Sequence, residues 1–216
     1  MKKHSNARIV GGLAAASIGA LSAYLFAVRP WHLRWGATYE EVRGFLPGDE
    51  LVPNATQTAT HAITINAPVK DVWPWLVQIG QTRGGFYSYT WLENMVGCRM
   101  RNADRIAPEW QELKVGDEVW LYPSVPPLPV LIYESERAIV LGSNTKSPGT
   151  WGFYLKELDG NTTRLIMRGR GELKPTLSSW LIQYVVFEPA HFIMERKMML
   201  GIKERAERSA RLRKVK

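Results

Sequence analysis

The side chains of this chain that can move protons or hold metals are few and scattered. Histidines stand at His4, His32, His61 and His191, and the only thiol is Cys98. A metal site needs ligands that converge, and neither the histidines nor the lone cysteine are spaced for it. No HExxH, Walker A, GxGxxG, GxSxG or EF-hand pattern occurs. The sequence therefore implies no metal and no cofactor. For acid–base chemistry the catalytic candidates are His61, Glu93 and Glu109, with Asp104 and Glu188 in the same class of acids. Each of the three also has a structural role to set beside the chemical one. His61 falls on the same alternating face as Ile63 and Ile65, where a histidine completes the edge of a core. Glu93 follows Thr90 by three residues, as in a capping box, and Glu109 sits near a turn. Arg99, Arg101 and Arg105 could meet an acidic head group or simply form a solvated basic loop.

A binding chemistry is easier to place than a catalytic one. Residues 72–97, VWPWLVQIGQTRGGFYSYTWLENMVG, hold six large aromatics around Gly84-Gly85. Trp73 and Leu76 have the spacing of ordinary helical core. Tyr87, Tyr89 and Trp91, just past the glycine turn, are candidates for the rim of a pocket, where an amphipathic ring can face a ligand. Trp120, Trp151, Phe153, Met167, Met194 and Met198 extend that set. Methionine-rich surfaces adapt to variable apolar partners, so the group suits an apolar cavity with few polar atoms.

The chain before this domain has another character. Ile9–Val28 reads IVGGLAAASIGALSAYLFAV, twenty residues without a charge, the length that spans a bilayer core as a helix. A cleaved signal peptide is the rival reading; the length of the apolar run favours an uncleaved anchor. Lys2, Lys3 and Arg8 on one side nearly balance Arg29, Arg34 and Arg43 on the other, so the side of the soluble domain is not fixed. The formal charge of +8 gathers at the ends. Lys203, Arg205, Arg208, Arg211, Arg213, Lys214 and Lys216 close the chain, either as a solvated helix end or as a contact with anionic lipid. Aromatics for stacking on bases are missing from that tail, so nucleic acid is not an expected partner.

Several elements must position these residues. Residues 1–8 form a basic tail, 9–28 the membrane helix, and 29–59 a connector with a short helix near Thr38–Phe45. THAITINAP (60–68) alternates as a half-buried strand, and Val69, Val72, Trp73, Leu76 and Ile79 then share one helical face. A second short helix over Thr90 and Glu93 ends at Gly97. Strand-like runs follow. The Asp159-Gly160 pair makes a hairpin of TWGFYLKEL and TTRLIMRGRG, whose apolar face (Leu165, Met167) opposes a basic one (Arg164, Arg168, Arg170) that reads as solvent-facing. LSSWLIQYVVFE reads as a short helix, and Pro189 opens a long amphipathic one. The order describes an α+β domain over residues 60–207, before a basic tail at 208–216.

That order and the words ITINAPVKDVWPWLVQIGQ, GGFYSYTWLEN, PEWQELKVGDEV, TWGFYLKELDGNTTRLIMRGRG and FEPAHFIMERKMMLGIKERAE resemble the START-like or SRPBCC superfamily, in a membrane-anchored bacterial branch of polyketide cyclase/dehydrase-like proteins. The resemblance implies a helix-grip fold, with a curved antiparallel sheet, two short helices after the first strand and a long C-terminal helix over a cavity. It implies binding or carriage of a hydrophobic small molecule such as a lipid, isoprenoid or polyketide. The alternative it leaves open is a cyclase or aromatase acting by acid–base catalysis.

Overall fold

A computed structural model describes residues 16–95, 97–143, 148–172, 176, 180 and 182–214. The N-terminal tail, residues 9–15 of the expected membrane span, Ser147 of the turn before TWGFYLKEL, most of residues 177–181 and the last two residues lie outside this description. Residues 16–23 are helical (α1), Tyr24–Val28 form a π-helical turn, and Arg29–His32 (α2) continue it. Among the described residues no helix is long and apolar enough to cross a membrane.

Six strands form one antiparallel sheet in the order β1-β6-β5-β4-β3-β2. They are β1 (Gln57–Ile65), β2 (Glu118–Val119), β3 (Leu128–Glu134), β4 (Ala138–Gly142), β5 (Gly149–Asp159) and β6 (Thr162–Gly171). The expected β5–β6 hairpin is present, with the Asn161 amide donating to Asp159 Oδ1 at 2.8 Å. Between β1 and β2 lie α4 (Val69–Val77) and α5 (Thr90–Met95), and the chain ends in α6 (Glu188–Lys214), 27 residues long. At 1.5 Å per residue α6 is about 40 Å long, enough to cross the whole sheet.

The inner face of the sheet, α4 and the middle of α6 enclose the core. Ile65, Leu165, Met167, Phe153, Leu155, Ile139 and Leu141 pack with Trp73, Trp75 and Leu76 of α4 and with Met198, Met199 and Ile202 of α6. Pro74 lies inside α4, which starts at Val69. Tyr87 has a left-handed backbone (φ 57°), and α6 presses on it at Gly201, where a Cβ would strike the Tyr87 carbonyl. This close approach locks the segment before α5 against the long helix.

The basic face of β6 is not solvent-facing, contrary to its charge pattern. Residues 33–53, which read as a connector, fold back over it. Leu33 and Trp35 accept hydrogen bonds from Thr60 and Ala62, and so cover the free edge of β1. Glu41 clamps Arg164 through both oxygens at 2.7 and 2.8 Å, and Asp49 holds Arg168 at 2.6 Å. Carbonyls of Glu41, Val42 and Gly44 complete the Arg168 guanidinium, whose side chain is only 3% exposed. Periodicity cannot distinguish a wet arginine from a buried one whose partners come from distant sequence. The α3 helix (Tyr39–Arg43) that carries Glu41 starts at a capping box formed by Thr38 and Glu41.

Candidate functional site

Between the sheet and α6 lies a cavity of ≈ 710 Å³. Leu121, Leu128, Leu141, Trp151, Phe86 and Met198 form its apolar walls, and Glu93, Glu188, His191, Glu195, Arg29 and Arg170 supply its ionisable groups. α6 contributes through one face only. Glu188, His191, Glu195 and Met198 stand at i, i+3, i+7 and i+10, so they project along a single stripe into the same space. From the other side come residues 86–88 before α5, turned by the left-handed backbone of Tyr87. Phe86 and Ser88 line the cavity, while Tyr87 between them points into the core, its hydroxyl donating to the Trp75 carbonyl at 3.0 Å.

The expected pocket residues are placed as follows. Trp151, Met194 and Met198 line the cavity. Phe153 and Met167 are fully buried beneath it, with the Phe153 ring 4.7 Å from that of Trp151. Tyr87 belongs to the core, Tyr89 is half-buried under Lys197, and Trp91 is 63% exposed outside the cavity. Trp120 does not line it, but its neighbour Leu121 does. Arg99, Arg101 and Arg105 are exposed, alternating with buried Cys98 and Met100. Of the three acid–base candidates, Glu93 lines the cavity, His61 lies just behind its wall, and Glu109 is exposed on the turn Pro108–Trp110.

Glu93 does not cap its helix. Thr90 is already helical, and the Glu93 amide donates to Tyr89 O at 3.1 Å. The carboxyl instead turns inward, is 8% exposed, and its Oε2 has neither solvent nor a hydrogen-bond partner. Burial pushes the Glu93 carboxyl up to about 7.

Glu195 is the opposite case. At 4% exposure it lies between two histidines, with Oε2 2.9 Å from His191 Nε2 and Oε1 3.3 Å from His61 Nδ1. Burial favours its neutral form, but the hydrogen bonds and positive charge of His191 and His61 prevail and hold it well below the carboxylate range. The protein mass around His191 disfavours its charge in turn, but the hydrogen bond and charge of Glu195, backed by Glu188, raise that ring above its ordinary value. His61 Nε2 lies 2.7 Å from the His32 carbonyl, which can only accept, so this nitrogen carries a proton. His32 is held neutral, down to about 4, by burial and by the charges of His61 and Arg29. Glu188 closes the cluster through Arg29, at 2.8 and 2.9 Å.

A carboxylate that fixes one nitrogen of a histidine leaves the other free to exchange protons with whatever occupies the cavity. His191 meets that description, since its side chain is 62% exposed and lines the cavity. Sequence reasoning missed this arrangement, although its signal was present. Glu188, His191 and Glu195 share a helical face in EPAHFIMERKM, a spacing that shows only when the polar positions of that helix are read together. Among the described residues no cluster of three or more His, Cys, Asp or Glu side chains could hold a metal ion.

No protein-family model and no curated protein matches the chain. Solved structures do. A hypothetical protein of Helicobacter pylori, jhp0584, aligns at TM-score 0.47 and 9% identity, over 75% of this chain and 95% of its own. Protein MLL2253 of Mesorhizobium loti aligns at TM-score 0.40 and 14% identity, over 70% and 98%. The Polyketide_cyc-like protein Cgl2372 of Corynebacterium glutamicum aligns at TM-score 0.33 and 16% identity, over 73% and 91%. The architecture is that of a helix-grip. It rests here on the observed strand order and on α6 lying over the sheet.

Proposed function

We propose that the protein binds a hydrophobic small molecule in the cavity between sheet and α6, and that its N-terminal segment tethers it to a membrane. The observation that carries the binding reading is the cavity itself. A volume of ≈ 710 Å³ lies within the range of roughly 300–1,000 Å³ typical of small-molecule sites, and a few ionisable groups gather among its apolar walls. The tether is supported by the uncharged run 9–28 and by what surrounds its end. Exposed Phe26, Val28 and Trp31 stand beside the π-helical segment Ile182–Phe187, itself exposed at Ile182, Val186 and Phe187. Tyr24 and Arg29 pack on Tyr184, which joins the two segments, and Phe187 also lines the cavity. An apolar patch of this kind marks an interaction surface, and here it adjoins the cavity.

Native mass spectrometry of the full chain released from membranes, followed by organic extraction, tests the binding reading. An apolar compound near one-to-one stoichiometry is the expected result. A folded protein that arrives empty and does not take up a fluorescent apolar probe such as N-phenyl-1-naphthylamine would sink it. Alkaline carbonate washing tests the tether: the chain should stay with the membrane pellet, and release into the wash would count against it.

The His61–Glu195–His191 arrangement favours a second reading, a cyclase-type enzyme in which His191 moves protons on the bound molecule. A bell-shaped pH–rate profile lost in His191→Asn, with ligand retention intact, is the pattern this reading requires.

A further inference from the structure

Among the described residues, each ionisable group that lines the cavity already has a partner of opposite charge, with one exception. Arg29 is paired with Glu188, Arg170 approaches Asp49 at 3.6 Å, and His191 is paired with Glu195. Glu93 has no cationic or hydrogen-bonding partner at Oε2 among the described residues. It is nevertheless more than nine-tenths buried and lines the same cavity. The terminal torsion of a glutamate has broad wells, so either oxygen of the carboxyl can turn toward the cavity.

We infer that Glu93 is the recognition site for a positively charged amine on the bound molecule, so that the ligand class is an apolar compound with an amino group. This rests on the reading of the cavity as a binding site and adds the polar end of its ligand. A buried carboxyl without a partner is a standing cost, and a protonated amine relieves it with a charge-assisted hydrogen bond, stronger than a bond between neutral groups. The neighbouring walls suit a cation as well. Phe86 and Trp151, with ring centroids 5.9 Å apart, offer aromatic faces, and ring faces attract ammonium groups. Burial raises the Glu93 carboxyl toward neutrality, and an ammonium seated beside it reverses that effect by favouring the charged form. A ligand ending in a carboxylate would hold Glu93 protonated, because a like charge beside it disfavours ionisation, so it gains no ion pair there. Cys98, its thiol pushed up by burial and then by the Glu93 charge, adds no cation.

The test compares three ligands of one shape, 2-(1-naphthyl)ethylamine, 2-(1-naphthyl)ethanol and 1-naphthylacetate. Each is titrated calorimetrically into the full chain in lipid nanodiscs at neutral pH, with empty nanodiscs subtracted. The amine should bind at least tenfold more tightly than either the alcohol or the acid. Glu93→Gln should abolish the preference for the amine while leaving the affinity for the alcohol within about twofold, since the amide keeps shape but loses charge. Equal binding of amine and alcohol by the unaltered protein would overturn the inference and leave the cavity reading standing. So would a preference that survives in Glu93→Gln. Failure of all three ligands to bind would overturn both. The comparison within the unaltered protein needs no variant, so it stands even if Glu93→Gln folds poorly.

Discussion

Glu93 and Glu195 are both nearly sealed from solvent and both line one cavity, yet they are driven to opposite charge states. Glu195 sits on a long helix, one turn from His191 and across from His61 of the neighbouring strand, so two rings answer its charge. Glu93 sits on a six-residue helix, its free oxygen has no hydrogen-bond partner among the described residues, and burial alone raises it. The difference teaches that depth is not what sets the charge of a buried carboxyl; the company it keeps is. One end of the cavity is electrically complete before any ligand arrives, and the other is completed only by one.

The largest effect expected from breaking this contrast is at Glu195. Glu195→Leu strands two imidazoles, one of them buried, and should cost about 3–5 kcal/mol in a urea unfolding experiment, as removal of one member of a buried pair does. Replacing His61 by Phe in the same chain should recover part of that loss; if the double variant is as unstable as the sum of both single ones, the coupling described here is wrong.

Glu93 should respond in the opposite sense and with pH. Its folded carboxyl, at about 7 against an ordinary 4.5, stays protonated between those values while the unfolded chain has lost the proton. Stability from this group is therefore complete below pH 4.5 and declines as pH rises through 7, by about 3 kcal/mol in all. Glu93→Gln removes that decline. The variant should gain on the wild type between pH 4.5 and 8, and parallel curves would show that Glu93 is not the isolated acid described here. His32 works against the same measurement in the wild type. Held down to about 4, it weakens the fold as pH falls below 6.5. The two slopes oppose each other over an overlapping window, which makes the comparison between variant and wild type more informative than either curve alone.

The smallest effect concerns the joint between the two regions. Gly201→Ala drives a methyl into Tyr87, where α6 meets the segment leading to Glu93. Overpacking of this kind costs about 1–3 kcal/mol. It should lower stability equally at all pH values, because it moves backbone rather than charge. A changed pH slope would mean that the spacing of the two regions tunes their charges.

Much of the scaffold was legible in advance because it depends on local patterns. Alternation marked β1 and the β5–β6 pair, helical spacing marked α4 and α6, and Asp159-Gly160 marked the hairpin between them. Trp151, Met194 and Met198, candidates for ligand contact by residue type, line the cavity. The arginines of β6 misled, since their buried partners Glu41 and Asp49 lie more than a hundred residues earlier in the chain. Tyr87, Tyr89 and Trp91 misled in another way. The stretch before α5 has two faces, and Phe86 and Ser88 took the cavity side while Tyr87 was claimed by Trp75 and Gly201.

The sequence by itself determined the elements and their order, the absence of any disulfide within the chain, the uncharged run near its start and the apolar character of the cavity walls. These follow from composition and from periods of two and 3.6 residues, which act over a few neighbours at a time. Only the tertiary structure decided which acid is charged. Glu93 and Glu195 carry the same group on helices of the same chain, and the local pattern supplies only His191, one turn before Glu195. The rest is the placing of His61 from β1 beside Glu195, while the free oxygen of Glu93 has no hydrogen-bond partner among the described residues, and that is settled when the sheet closes on α6.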